Sequence, residues 1–223
     1  MLNLLLDYHQ NILQGIGITV LLLVVTVSFG LILSIIFAAI KYFRLPILAP
    51  FINLFIFIIR GTPFLVQLFI IYYGPLQFNS FINSPFAPLF KSAFFCALLA
   101  LILNTTAYTT CLFYGAINNL PKADIRSGEV LALNKTQIFI YIILPRFFVR
   151  ILPAYTNEVI MILKCTSLVS TISILDLMGV IKQTMAVTYQ TINCLAIAGI
   201  IYLLITMVIS FIFKKIYKRY YCT

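Results

Sequence analysis

The stretch "IIRGTPFLVQLFIIYYGP" (residues 58–75) decides the fold class. It is among the most apolar runs in the chain, yet Arg60, Gly61 and Pro63 interrupt it. A soluble core has no need of such a run, and a simple membrane span has no place for the arginine, because a charge at bilayer depth is costly. A broken membrane helix accounts for both. Proline removes a helix hydrogen bond, so Gly61 and Pro63 are expected to bend or break the span, and neighbouring protein must then replace the lost bond.

The rest of the chain agrees. Of 223 residues, 63% are hydrophobic and only 9% charged, against roughly 25% charged in a soluble domain. No charged residue lies between His9 and Lys41, Lys91 and Lys122, or Lys182 and Lys214. Each gap exceeds the roughly 20 residues that cross a bilayer as a helix. The reading is an all-α, polytopic helical membrane protein with five spans, at about 16–40, 49–73, 92–117, 151–175 and 191–213. The connections are "KYFRLP", the non-helical loop "GPLQFNSFINSPFAP", the polar "NNLPKADIRSGEVLALNKTQIF" and "GVIKQTMAVTYQ"; "KKIYKRYY" follows the last span. "MLNLLLDYHQNILQGIG" lacks the basic start of a signal peptide and precedes too long an apolar run, so the first span is expected to stay in the mature protein.

The net charge of +10 is a topology signal and does not point to nucleic acid. Lys41, Arg44, Lys122, Arg126, Lys135, Arg146, Arg150, Lys214, Lys215, Lys218 and Arg219 fall on one side, whereas only Lys91 and Lys182 fall on the other. By the positive-inside rule the N-terminus faces out, and the polar segment and C-terminus face the cytoplasm. The five cysteines show no Cys-x-x-Cys spacing and sit mostly in apolar runs, as small buried residues. With His9 the single histidine, no metal site is expected.

Polar groups inside spans are the candidate functional residues. Arg60 is either a snorkelling or ion-paired structural residue or part of a pathway. In "LPAYTNEVIMILKCTSL", Pro153 suits a first helical turn, and Asn157 and Lys164 are seven apart and share a face. Glu158, offset from them, needs a partner on another helix or a wet cavity, and a buried carboxylate is a natural counter-charge for a guanidinium. Asn104, Thr105, Thr106, Thr109 and Thr110 form a polar stripe that lines a pathway or joins helices. No G-x-x-x-x-G-K-[ST] loop is present, so ATP-driven transport needs an ATPase on another chain. After Pro121 a short helix over roughly 121–134 offers a docking element for such a partner.

"RGTPFLVQLFIIYYG", "LNTTAYTTCLFYGAI", "ILPRFFVRILPAYTNEVIMILKCTSL" and "GIIYLLI" resemble, in order and spacing, the polar amino-acid permease family of ABC importers. The likeness is strongest to permeases of the arginine type, with the histidine/lysine/ornithine type close behind. The resemblance implies an extracytoplasmic N-terminus (1–11), an ABC type-1 transmembrane domain (12–215) with a coupling segment at about 118–136, and a basic cytoplasmic tail (216–223). It implies a second, homologous permease subunit, two copies of an ABC ATPase, a periplasmic amino-acid-binding protein and surrounding lipid. ATP and Mg would sit on the ATPase, with no cofactor on this chain and no catalytic residue.

The substrate it implies is a polar or cationic amino acid, L-arginine first, then histidine, lysine, ornithine or glutamine. Arg60, Thr62, Asn104, Asn157, Glu158, Lys164 and Ser167 are the candidate path residues. Asp124, Arg126, Ser127, Gly128, Glu129, Ala132 and Pro145 are the coupling candidates. The family motif begins Glu-Ala-Ala and ends in Gly. Here Arg126, Ser127 and Gly128 occupy the first three places, and Ala132 replaces the Gly. Cys111 stands where many relatives have Glu, which leaves Glu158 and Asp176 as the acidic residues in or near spans three to five. Two rival classes are a non-transporting assembly subunit and an intramembrane enzyme. The enzyme lacks a histidine base at membrane depth.

Overall fold

The computed structural model describes residues 2–119, 128 and 130–221, and among them no strand occurs. Seven helices carry the architecture: α1 (Leu2–Tyr42), α2 (Leu48–Gly61), α3 (Phe64–Tyr73), α4 (Ala93–Asn118), α5 (Leu144–Thr166), α6 (Leu177–Thr188) and α7 (Thr191–Tyr221). Among the described residues, α1, α4 and α7 are long and apolar enough to cross a bilayer unbroken. Two bent pairs supply the remainder. The α2–α3 pair turns through 106°, and α5 continues through a 3-10 segment (Ser167–Ile172) to meet α6 at 50°. Counting each pair as one span gives five.

Three expectations change. The segment 74–88 is not wholly irregular: it holds a 3-10 turn (Pro75–Gln77) and short helices at Asn79–Ile82 and Ala87–Lys91. "GVIKQTMAVTYQ" is mostly helix, because the fully buried Asp176 caps α6. Its carboxylate accepts from Gly179 N at 3.0 Å and Met178 N at 3.3 Å, satisfying donors that a helix start leaves open. Pro153 lies inside α5, well past its first turn. The helical path starts earlier, at a reciprocal cap in which Asn134 and Gln137 each accept the other's backbone N–H at 2.8–2.9 Å. A π-helical stretch (Ile138–Ile143) then leads into α5.

Close packing of α1 on α4 organises the bundle. A Cβ at Gly30 would meet the Thr105 methyl at 2.5 Å, so glycine is what lets the two backbones approach. One turn on, Ser34 Oγ donates to Gly30 O at 2.6 Å and lies 3.3 Å from Thr106 O across the interface. Small residues of this kind set helix contacts where lipid removes the hydrophobic drive. At one end of the bundle α1, α4, the π-helical stretch, α5 and α7 bury Phe113, Phe139, Phe147, Leu163 and Ile209 together. A separate cluster ties α1 and α7 to α6 through Ile12, Leu177, Ile181 and Ile197. Thr19 Oγ1 adds a polar link, accepting from Leu177 N at 3.0 Å.

Candidate functional site

Pro63 has no N–H to give to the carbonyl four residues back, at Ile59. Gln67 supplies the replacement. Its Nε2 donates to Ile59 O at 2.6 Å and lies 2.9 and 2.8 Å from Thr62 O and Thr62 Oγ1. Thr62 Oγ1 in turn donates to Ile58 O at 2.9 Å. From α4, Asn104 Nδ2 donates to Gln67 Oε1 at 3.2 Å. The break is thus closed by one buried amide, itself held by a neighbouring helix. Gln67 was not among the sequence-derived candidates. Its signal was a side-chain donor four residues after a helix-breaking proline.

A cavity of about 290 Å³ opens beside this junction, lined by Thr62, Pro63, Phe64, Asn104, Tyr108, Glu158, Met161, Ile162 and Cys165. Four helices contribute to it or to its rim. The half-buried Glu158 is the one carboxylate among the described lining residues. Arg60 stands at the rim, with its guanidinium 5.3 Å from the centre of the Tyr108 ring and Nη1 2.8 Å from Cys111 Sγ. It lies within electrostatic reach of Glu158, although no salt bridge joins them. The arrangement offers a fixed anion, a nearby cation, an amide and a hydroxyl around one small space. Such a space can bind and orient a charged, polar molecule.

The other candidates lie elsewhere. Asn157 faces a different groove, between α5 and α7, with Pro153, Thr156, Ser210 and Lys214. Lys164 is exposed, and Ser167 Oγ donates to Lys164 O at 2.7 Å where the 3-10 segment begins. Of the polar stripe on α4, Thr105, Thr109 and Thr110 are buried with unpartnered hydroxyls among the described residues, whereas Asn104 lines the cavity. Among the described residues no group of three or more His, Cys, Asp or Glu is placed to hold a metal. Of the coupling candidates, Asp124, Arg126, Ser127 and Glu129 fall outside the described residues. Gly128 is helical, Pro145 is the second residue of α5, and Ala132 adopts a left-handed φ of 55°. That is a conformation glycine takes at no steric cost.

Residues 30–220 match the family described as "Binding-protein-dependent transport system inner membrane component". The chain belongs to this family. Among curated relatives it is 38% identical over 213 residues to "Arginine ABC transporter permease protein ArtM" of Haemophilus influenzae, covering 96% of this chain and 93% of that one. It is 35% identical to "Histidine/lysine/arginine/ornithine transport system permease protein HisM" of Escherichia coli, over 99% and 96% of the two chains. A solved "amino acid ABC transporter with histidines" superposes with a TM-score of 0.84 at 28% identity, covering 96% of each chain. The MetNI methionine ABC transporter, at 15% identity and a TM-score of 0.76, shares the fold. This protein is a permease subunit of an amino-acid ABC importer, an inner-membrane transport component and not an enzyme.

Proposed function

We propose that this permease subunit carries cationic amino acids, L-arginine foremost, and that the cavity at the α2–α3 break belongs to its translocation path. The observation that carries the reading is Glu158, the one carboxylate among the described lining residues of a cavity of about 290 Å³. A carboxylate in such a site favours a cationic ligand and grips a guanidinium through two hydrogen bonds. The relatives named for arginine and for histidine, lysine, arginine and ornithine support the same substrate class.

The working assembly pairs this chain with a second permease subunit, two ATPase copies and a periplasmic binding protein. The N-terminus faces out, and the segment at about 118–136 docks on the ATPase, which alone binds ATP and Mg. Closure of the ATPase dimer then pushes that segment, and the spans shift from inward-open to outward-open. The test is reconstitution of the complex, scoring ATP hydrolysis with arginine, lysine, histidine, ornithine and glutamine. Cationic amino acids are expected to stimulate, and glutamine is expected to fail. Glu158→Gln is expected to lower uptake while the complex still assembles. Unchanged transport by that variant removes Glu158 from the path.

A further inference from the structure

A second pocket, of about 280 Å³, lies at the far end of α1 from the N-terminus, between the α1–α2 turn, the start of α2 and Tyr114 of α4. Its polar lining is Lys41, Arg44, Asn53 and Tyr114. Lys41 Nζ sits 4.5 Å from the centre of the Tyr114 ring, and among the described residues no acidic side chain lines the pocket. The turn is fixed: Arg44 N donates to Lys41 O, Leu45 N to Ile40 O, and Ala49 N to Leu45 O. Within it Arg44 takes a left-handed φ of 52°, a conformation uncommon for a residue with a side chain. Two cations thus line one pocket with no anion among its described lining residues.

Apolar surface adjoins the pocket. From Pro50 the outer face of α2 continues through Leu54 and Phe57, which are 54% and 77% exposed. On the other flank of α2, Phe37, Ile40, Phe51, Ile52 and Phe55 line an almost wholly apolar groove of about 400 Å³. A soluble anion gains nothing from these surfaces. A phospholipid does, because its chains cover them while its phosphate meets the cations.

We propose that the α1–α2 turn is a binding site for one anionic phospholipid, its phosphate held by Lys41 and Arg44 and its acyl chains laid against α2. Basic pockets between membrane helices at the cytoplasmic face recognise anionic headgroups in this way, and the positive-inside pattern puts this turn at that face. The site shares no lining residue with the Glu158 cavity, so it stands independently of the substrate reading.

Native mass spectrometry of the full-length chain released from nanodiscs of equal phosphatidylglycerol and phosphatidylethanolamine tests the site. The wild type is expected to retain one phosphatidylglycerol in preference to phosphatidylethanolamine. Each cation near the membrane contributes about a fivefold factor, so Lys41→Gln with Arg44→Gln is expected to weaken the preference roughly 30-fold. Lys41→Arg with Arg44→Lys, which keeps both charges, is expected to retain it. So is Lys214→Gln, which removes a cation from the separate α5–α7 groove. Equal retention of the two lipids by the wild type overturns the proposal. A double-neutral variant that retains phosphatidylglycerol like the wild type, or a Lys214→Gln variant that loses it equally, also overturns it. Displacement of the lipid signal by 10 mM inorganic phosphate alone would show that the pocket takes a free anion, and overturns it too.

Discussion

Replacing Gln67 by leucine isolates the energetic role of the α2–α3 junction. Leucine keeps the volume of a side chain that is 7% exposed and removes its donor and acceptor. Ile59 O then has neither a backbone N–H from Pro63 nor the amide at 2.6 Å. Ile59 is part-buried, so leaving its carbonyl unsatisfied costs about 1–2 kcal/mol, the lower part of the range for a buried group. Thr62 O also loses its partner, but Thr62 is exposed at the cavity, where water recovers most of that bond. The bond from Asn104 is lost as well; interhelical hydrogen bonds in membranes average about 0.6 kcal/mol. The sum is a loss of about 2 kcal/mol for Gln67→Leu. By contrast, Asn104→Ala removes only the interhelical bond and part of the cavity wall, and should cost under about 1 kcal/mol. Reversible unfolding in mixed micelles, followed by helical circular dichroism, measures both. Equal losses in the two variants, or a neutral Gln67→Leu, refute the assignment of Gln67 as the substitute for the missing proline donor.

Three further outcomes follow from local geometry. Ala132→Gly should raise stability by about 0.5–1 kcal/mol by relieving the left-handed backbone at φ 55°; a lowered unfolding midpoint would contradict this. Asp176→Ala should cost about 2 kcal/mol through loss of the α6 cap, whereas Asp176→Asn, which still accepts from the same amides, should cost less than half of that in the same assay. Gly30→Val forces side-chain atoms into Thr105 and should cost about 1–3 kcal/mol, with reduced yield of folded chain as the second readout.

The fold class and the number of spans were legible because bilayer thickness imposes a length that apolar runs either meet or miss. The break at Gly61–Pro63 was legible because proline acts on its own backbone whatever surrounds it. Pro153 misled for the same reason in reverse: in isolation it resembles a helix start, but a membrane bundle tolerates proline inside α5. The helix α6 was hidden by Gly179, Lys182 and Gln183, which look like loop residues; the cap at Asp176 was its one readable signal. In the cavity, Thr62, Asn104 and Glu158 come together from three separate helical segments, while Asn157 and Lys164, chosen for sharing a face of α5, face elsewhere. Sequence spacing reveals which residues share a helix face, but only packing determines which face meets the cavity.

Every residue but proline carries a peptide N–H, so a backbone hydrogen bond is normally beyond the reach of mutation. At the junction of α2 and α3 that is no longer so, because the bond to Ile59 O comes from the side chain of Gln67. A main-chain bond has become an inherited trait that one codon change can delete. Positions 63 and 67 therefore form a single heritable unit. A chain with an N–H at 63 can dispense with the amide at 67, and one with the proline needs a donor there.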